Sequence, residues 1–313
     1  MLISDMQEKR NKKLAFLLMA LTLAAALIIV FGGRERARVD PELFRLADYN
    51  SINRISLQSD TTTVELTFKG SRWKVNDRYN ADRELVTVLF ATLRQAEPKR
   101  AVSSQLADSI AERLENGGIH VTLYEDDHVA QQFFAGGNSL KTQAYFRRAG
   151  DEQVYMMTIP GYKVYVSGIF ELQANQWREK YVFGFNWENF RDLTAEFPGH
   201  REDNFTITQD RHRGFGIPDI KTDTGKVHTF LDNVSLLTAN EFLEPGDFTD
   251  SLKKTTPEMI LKITDVTNAT YSLALYHAKG SRVAGLLNKT DGVVFSRLKL
   301  EPIYRRELYF VEQ

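Results

Sequence analysis

The sequence predicts an α+β protein in which antiparallel β-meanders with a few helices follow one N-terminal transmembrane helix. Three observations carry this reading. Short alternations of apolar and polar residues recur along most of the chain, separated by Gly, Asn, Asp and Ser turns. A few longer segments switch to helical spacing. Near the N-terminus stands an unbroken apolar run of 18 residues, Leu14 to Phe31, with Thr22 as its one hydroxyl.

That run makes a helix of roughly 27 Å at about 1.5 Å per residue, enough to span a bilayer core. Lys9, Arg10, Lys12 and Lys13 precede it, so residues 1–13 are expected in the cytoplasm and everything after Gly33 across the membrane, although Arg34, Arg36 and Arg38 oppose this. The anchor is placed at 14–33. A cleavable signal peptide is the competing reading, through Ala24, Ala25 and Ala26. Cleavage there would leave Leu27 to Phe31 as a new apolar terminus, and no A-x-A triplet follows the run, which favours a retained anchor. Residues 34–50, charged and carrying Pro41, read as a stalk.

Residues 51–186 form the first expected module. Ile52, Ile55 and Leu57, then Val64, Leu66 and Phe68, then Trp73 and Val75 alternate as three strands. From Ala81 to Ala96, Leu85, Val88, Leu89, Thr92 and Leu93 share a helical face, and Pro98 closes the segment. A second helix is expected from Ser104 to Asn116, before Gly117 and Gly118. Strands follow at Ile119–Tyr124, Ala130–Ala135, Gln143–Arg148 and Val154–Ile159. Residues 187–313 repeat the order. Strands at Asn189–Phe197, Asn204–Thr208 and Arg213–Ile217 precede a helix at Lys226–Leu243, and four strands follow at Met259–Thr264, Thr270–Tyr276, Arg282–Leu287 and Val293–Leu300. Two organisations fit: duplicated β-β-β-α-β-β-β-β modules with a groove between them, or one continuous α+β domain.

Composition narrows the chemistry. Forty basic against forty-one acidic residues leave a net charge of −1, which removes the electrostatic case for nucleic acid. With no cysteine there are no disulfides, thiolate metal sites or cysteine nucleophiles. His120, His128, His200, His212, His228 and His277 form no ligand motif, and no glycine pattern builds a phosphate cradle. Neither Ser139 nor Ser167 sits in a nucleophile elbow. Glu125, Asp126 and Asp127 read as a hairpin turn. The expectation is a non-enzymatic protein with no catalytic, cofactor or metal residue and no nucleotide.

What stands out is an aromatic stretch from Tyr162 to Phe190. Either its rings staple the two halves together, or some are exposed for a partner, since Trp, Tyr and Arg are favoured interface anchors. Tyr162, Trp177, Arg178 and Trp187 are the candidate partner-binding residues.

Several short motifs resemble the DUF4340 family. They are the Ile52-Asn53-Arg54-Ile55 strand, Trp73-Lys74-Val75, Tyr79-Asn80-Ala81-Asp82 leading into a helix, Gly118-Ile119-His120-Val121, and Trp177-Arg178-Glu179-Lys180. The resemblance runs from about Ile52 to Phe185 and more loosely beyond. It implies a bacterial envelope protein, anchored once in the inner membrane with its body in the periplasm, serving as an accessory to an ABC-type transport, secretion or gliding-motility system. The expected partners are the membrane and protein subunits of such a system. A module capturing a lipid or glycan for a transporter is the alternative.

Overall fold

Two antiparallel sheets organise the chain in the computed structural model, which describes residues 13–26, 39–210 and 214–312. Strand numbers follow the chain. The first sheet has β1 (Arg54–Gln58), β2 (Thr63–Lys69), β3 (Arg72–Val75), β4 (Tyr79–Asn80), β5 (Glu97–Ala101), β6 (Ile119–Glu125), β7 (His128–Gly137), β8 (Ala144–Arg148) and β9 (Val154–Thr158). Its order is β4-β3-β2-β1-β6-β7-β8-β9-β5. The second sheet has β10 (Phe190–Glu196), β11 (Phe205–Asp210), β12 (Gly214–Gly216), β13 (Glu241–Phe242), β14 (Met259–Asp265), β15 (Thr270–Leu275), β16 (Arg282–Leu287) and β17 (Asp291–Ser296). Its order is β12-β11-β10-β14-β15-β16-β17-β13. Apart from β4, the two sheets follow one topology.

The helices repeat too. After α1 (13–26), α2 (Arg83–Gln95) and α5 (Thr224–Ser235) each cover the main core of their sheet, with Val86, Leu89 and Leu93 in one and Val227, Phe230, Leu231 and Val234 in the other. On the opposite faces α3 (Ser104–Gly117) lies over β8, and α6 (Asp247–Lys253) lies over β16. Small satellite cores form there, around Ile110, Leu114 and Tyr145 in the first sheet and around Leu252, Tyr276 and Leu286 in the second. Two short helices, α4 (Ala174–Trp177) and α7 (Arg297–Leu300), complete the set.

Local chemistry accounts for these boundaries. Asp82 caps α2 by accepting from Glu84 N at 2.9 Å and Leu85 N at 3.2 Å. Asp82→Ala is expected to cost about 1 kcal/mol, read as a lower denaturant midpoint of the full chain. In β10 a bulge between Phe190 and Asp192 shifts the register, so Phe190 and Leu193 enter the same core despite their odd spacing. Asp126, at positive φ, turns the β6–β7 hairpin, and its backbone N–H donates to Asn53 Oδ1 at 3.1 Å, in keeping with the turn reading of that acidic triplet.

The helix closes before Pro98 as expected, ending at Gln95, and Glu97–Ala101 then pairs with β9 as an edge strand, with a register shift between Pro98 and Arg100. Three expectations need correction. The helix expected to Leu243 ends at Ser235, because Leu237, Ala239 and Phe242 are buried through strand-like pairing rather than along a helical face. The strand expected to reach Leu300 stops at Ser296, where α7 begins. Residues 39–50, expected as free stalk, pack on the first sheet, with Phe44 edge-on to Phe133, Phe146 and Tyr155.

At the N-terminus the described part of the expected anchor is α1, about 21 Å long at 1.5 Å per residue. No helix among the described residues is long and apolar enough to cross a membrane. Residues 27–33 of the expected anchor, with 1–12 and 34–38, lie outside the described residues.

Candidate functional site

The Trp177-Arg178-Glu179-Lys180 motif lies where the two sheets meet, and its backbone hydrogen-bonds to both. On the first side, Asp82 N donates to Trp177 O at 2.7 Å and Glu179 N to Asn80 O at 2.8 Å. The thread thus extends the first sheet beyond β4. On the second side, Ala239 N donates to Lys180 O at 2.8 Å and Val182 N to Leu237 O at 3.0 Å. Residues 237–240 then run into β13, the edge of the second sheet, which pairs with β17. Six consecutive residues therefore join two sheet edges that would otherwise expose unpaired backbone.

Trp177 ends α4 and Arg178 begins the extended thread, and their side chains go to different places. Trp177 enters the first core and is fully buried, and its indole N–H has no acceptor among the described residues. Arg178 points into the junction and is 5% exposed. Its guanidinium carbon lies 3.5 Å from the ring centre of Tyr79 and 3.8 Å from that of Phe242, one ring from each module. Its Nη2 donates to Asp291 Oδ2 at 3.2 Å. The other oxygen, Oδ1, accepts from Tyr79 OH at 3.0 Å and from Arg78 Nη2 at 3.3 Å. Burial pulls the Arg178 pKa below its usual value, opposed by the neighbouring Tyr79 and Asp291. Burial and the bond to Asp291 push the Tyr79 hydroxyl up.

Asp291 reaches this position through a tight turn. Leu287 pairs with Asp291 across a three-residue loop in which Asn288 and Lys289 both take positive φ and Thr290 N donates to Leu287 O at 3.1 Å. Gly292 follows. A Cβ there would come within 2.6 Å of the Thr249 side chain and 3.1 Å of Leu243, so glycine permits β17 to approach residues 243–249 this closely.

Beside the cluster lies a groove of about 780 Å³ between the modules, within the size range of ligand sites. Arg72, Lys74 and Asn80 line it from the first sheet, Tyr181 to Phe185 line it from the connecting thread, and Arg178 and Asp291 also belong to its lining. Four cations in the lining face two carboxylates, Glu179 and Asp291. Arg72 lies 3.8 Å from Glu179, and Lys74 donates to the neutral Asn80 Oδ1 at 2.6 Å.

The four sequence-selected residues do not share one surface. Trp177 and Arg178 are in the junction but buried. Tyr162, in the turn after β9, is 64% exposed, and Trp187 is 42% exposed against Phe215 and His228; neither lines the groove. Most of the other rings in the stretch, including Phe170, Phe183, Phe185 and Phe190, are core. Sequence reading missed Arg72, Arg78, Phe242 and Asp291, whose separations leave no local signal. Tyr79, Asn80 and Lys74 lay within motifs already noted, but nothing in them indicated a groove.

A metal reading gains nothing. His200, Glu202 and Asp203 bring one ligand atom each within 4.8 Å of one another, yet His200 and Glu202 are exposed and Asp203 lies 2.9 Å from Arg306. His200 and Glu202 stand in solvent, and the partly buried Asp203 is already paired with a cation.

No curated protein and no solved structure matches the chain. A family model does match, from Trp73 in β3 to Glu258 just before β14. It therefore straddles both modules, whereas the motifs placed the closer resemblance in the first. The junction thread and the Tyr79-Asn80-Ala81-Asp82 segment it pairs with both fall inside this match, and with it the chain belongs to the family described as Domain of unknown function (DUF4340), over residues 73–258.

Proposed function

We propose that this chain is a non-enzymatic, membrane-anchored accessory protein whose body projects into the periplasm and binds a protein subunit of an ABC-type transport, secretion or gliding-motility system. The anchor rests on the apolar run 14–31 and its basic N-terminal flank. The body is two modules related by duplication, a reading supported by their common strand order. The observation that carries the binding role is the inter-module groove lined by the hydrogen-bonded Arg178 and Asp291, since a prearranged cleft loses little entropy when occupied. Tethering beside membrane partners would raise local concentration, so modest affinity suffices.

Photoreactive side chains at Tyr181, Tyr162 and Trp187 in living cells, with mass spectrometry of the adducts, test this. Reproducible capture of transporter or motility subunits, strongest from Tyr181 at the groove, is expected. Captured lipid or glycan, with no protein, would replace the accessory role by ligand delivery.

A further inference from the structure

The groove's charge and geometry specify its occupant more closely. This step rests on the proposed binding role. We infer that the junction groove takes an extended acidic segment of a protein partner, laid along β3.

Three observations converge. The lining carries two more cations than carboxylates, in a chain whose net charge is −1, so the excess is local. Arg72 and Arg78 have well over half of their side chains exposed, and the closest carboxylate contact of Arg72 is the loose one to Glu179. Such exposed pairs are weak and exchange readily for a better anion.

The spacing is that of a strand. Arg72 and Lys74 sit two residues apart on β3, so they point to one side with their Cα atoms roughly 7 Å apart. Carboxylates at alternate residues of an extended peptide repeat at the same distance.

The connecting thread offers backbone. Tyr181 and Thr238 are opposed across the bonds from Val182 N to Leu237 O and from Ala239 N to Lys180 O. In that pattern the N–H and C=O of Tyr181 are not used between the two strands and point to the other side. Tyr181 also lines the groove. An added strand could use these groups, the mode in which main-chain bonds supply affinity and side-chain pockets supply specificity.

The test uses the full chain in detergent and a fluorescent hexaglutamate peptide as probe, with hexalysine as the opposite-charge control. Hexaglutamate should bind, more weakly as salt rises, and the Arg72→Glu/Lys74→Glu double variant should lose about tenfold or more in affinity. Circular dichroism of the variant establishes that it is folded; Arg72→Gln/Lys74→Gln gives a milder second case if it is not. Equal binding by wild type and the folded variant would overturn the inference. So would displacement of hexaglutamate by inorganic phosphate at equal charge concentration, or preferential binding to vesicles of phosphatidylglycerol and phosphatidylcholine in equal parts. In cells, Tyr181 adducts should disappear in the double variant. Adducts that persist would leave the accessory role intact and remove the acidic segment; no protein adduct from any position in wild type would remove both.

Discussion

Asp291→Ala should destabilise the full chain by about 3 kcal/mol or more, because it strands the buried Arg178 guanidinium without its counter-charge. Two rings remain beside the cation, and Arg78 loses its carboxylate at the same time, so the loss belongs to the cluster rather than to one bond. Asp291→Asn keeps acceptor capacity without the charge and should fall between wild type and alanine. The double variant Arg178→Met/Asp291→Ala should recover much of the loss, since a buried pair replaced together by apolar groups is often near neutral. Guanidinium unfolding of the four proteins measures this. If Asp291→Ala leaves the midpoint unchanged, Arg178 has reached water or another acceptor, and the junction is looser than its geometry indicates.

Trp177→Ala should cost about 3–5 kcal/mol, the range for removing a large buried ring from a core that cannot fully collapse. The cavity would open where the thread leaves the first core, so weakened docking of the modules is expected alongside the lost stability. Trp177→Phe should cost clearly less, because it keeps much of the volume and removes an indole donor that has no acceptor among the described residues. Trp187→Ala is the contrast: at 42% exposure its loss should stay near 1 kcal/mol. Thermal unfolding of the three variants separates these cases, and equal shifts for Trp177→Ala and Trp187→Ala would contradict the burial described.

Local pattern made a large part of the fold legible. Val64 and Leu66, or Leu261 and Ile263, alternate into their cores because a strand facing one core must repeat every two residues. Val86, Leu89 and Leu93 share one face because a helix repeats every 3.6. The same logic misled at Leu237 to Phe242, where apolar residues near helical spacing are buried by pairing with a strand instead. β5 and β13 were missed for a related reason. A five-residue strand containing Pro98 and a two-residue strand have almost no intrinsic signature, and each exists because a sheet edge offered it a partner.

By itself the sequence determined the α+β class, the meanders and main helices, the apolar N-terminal run and the motif that proves to be the junction thread, all consequences of residues near one another along the chain. Tertiary structure alone decided that the two sheets share one strand order, that Trp177 and Arg178 turn inward while Tyr162 and Trp187 stay exposed, and that Arg178 meets Asp291 at a separation of 113 residues. A buried charge is tolerable only beside its partner, and which residues become partners depends on how the sheet edges pair, a choice that periodicity and composition do not encode.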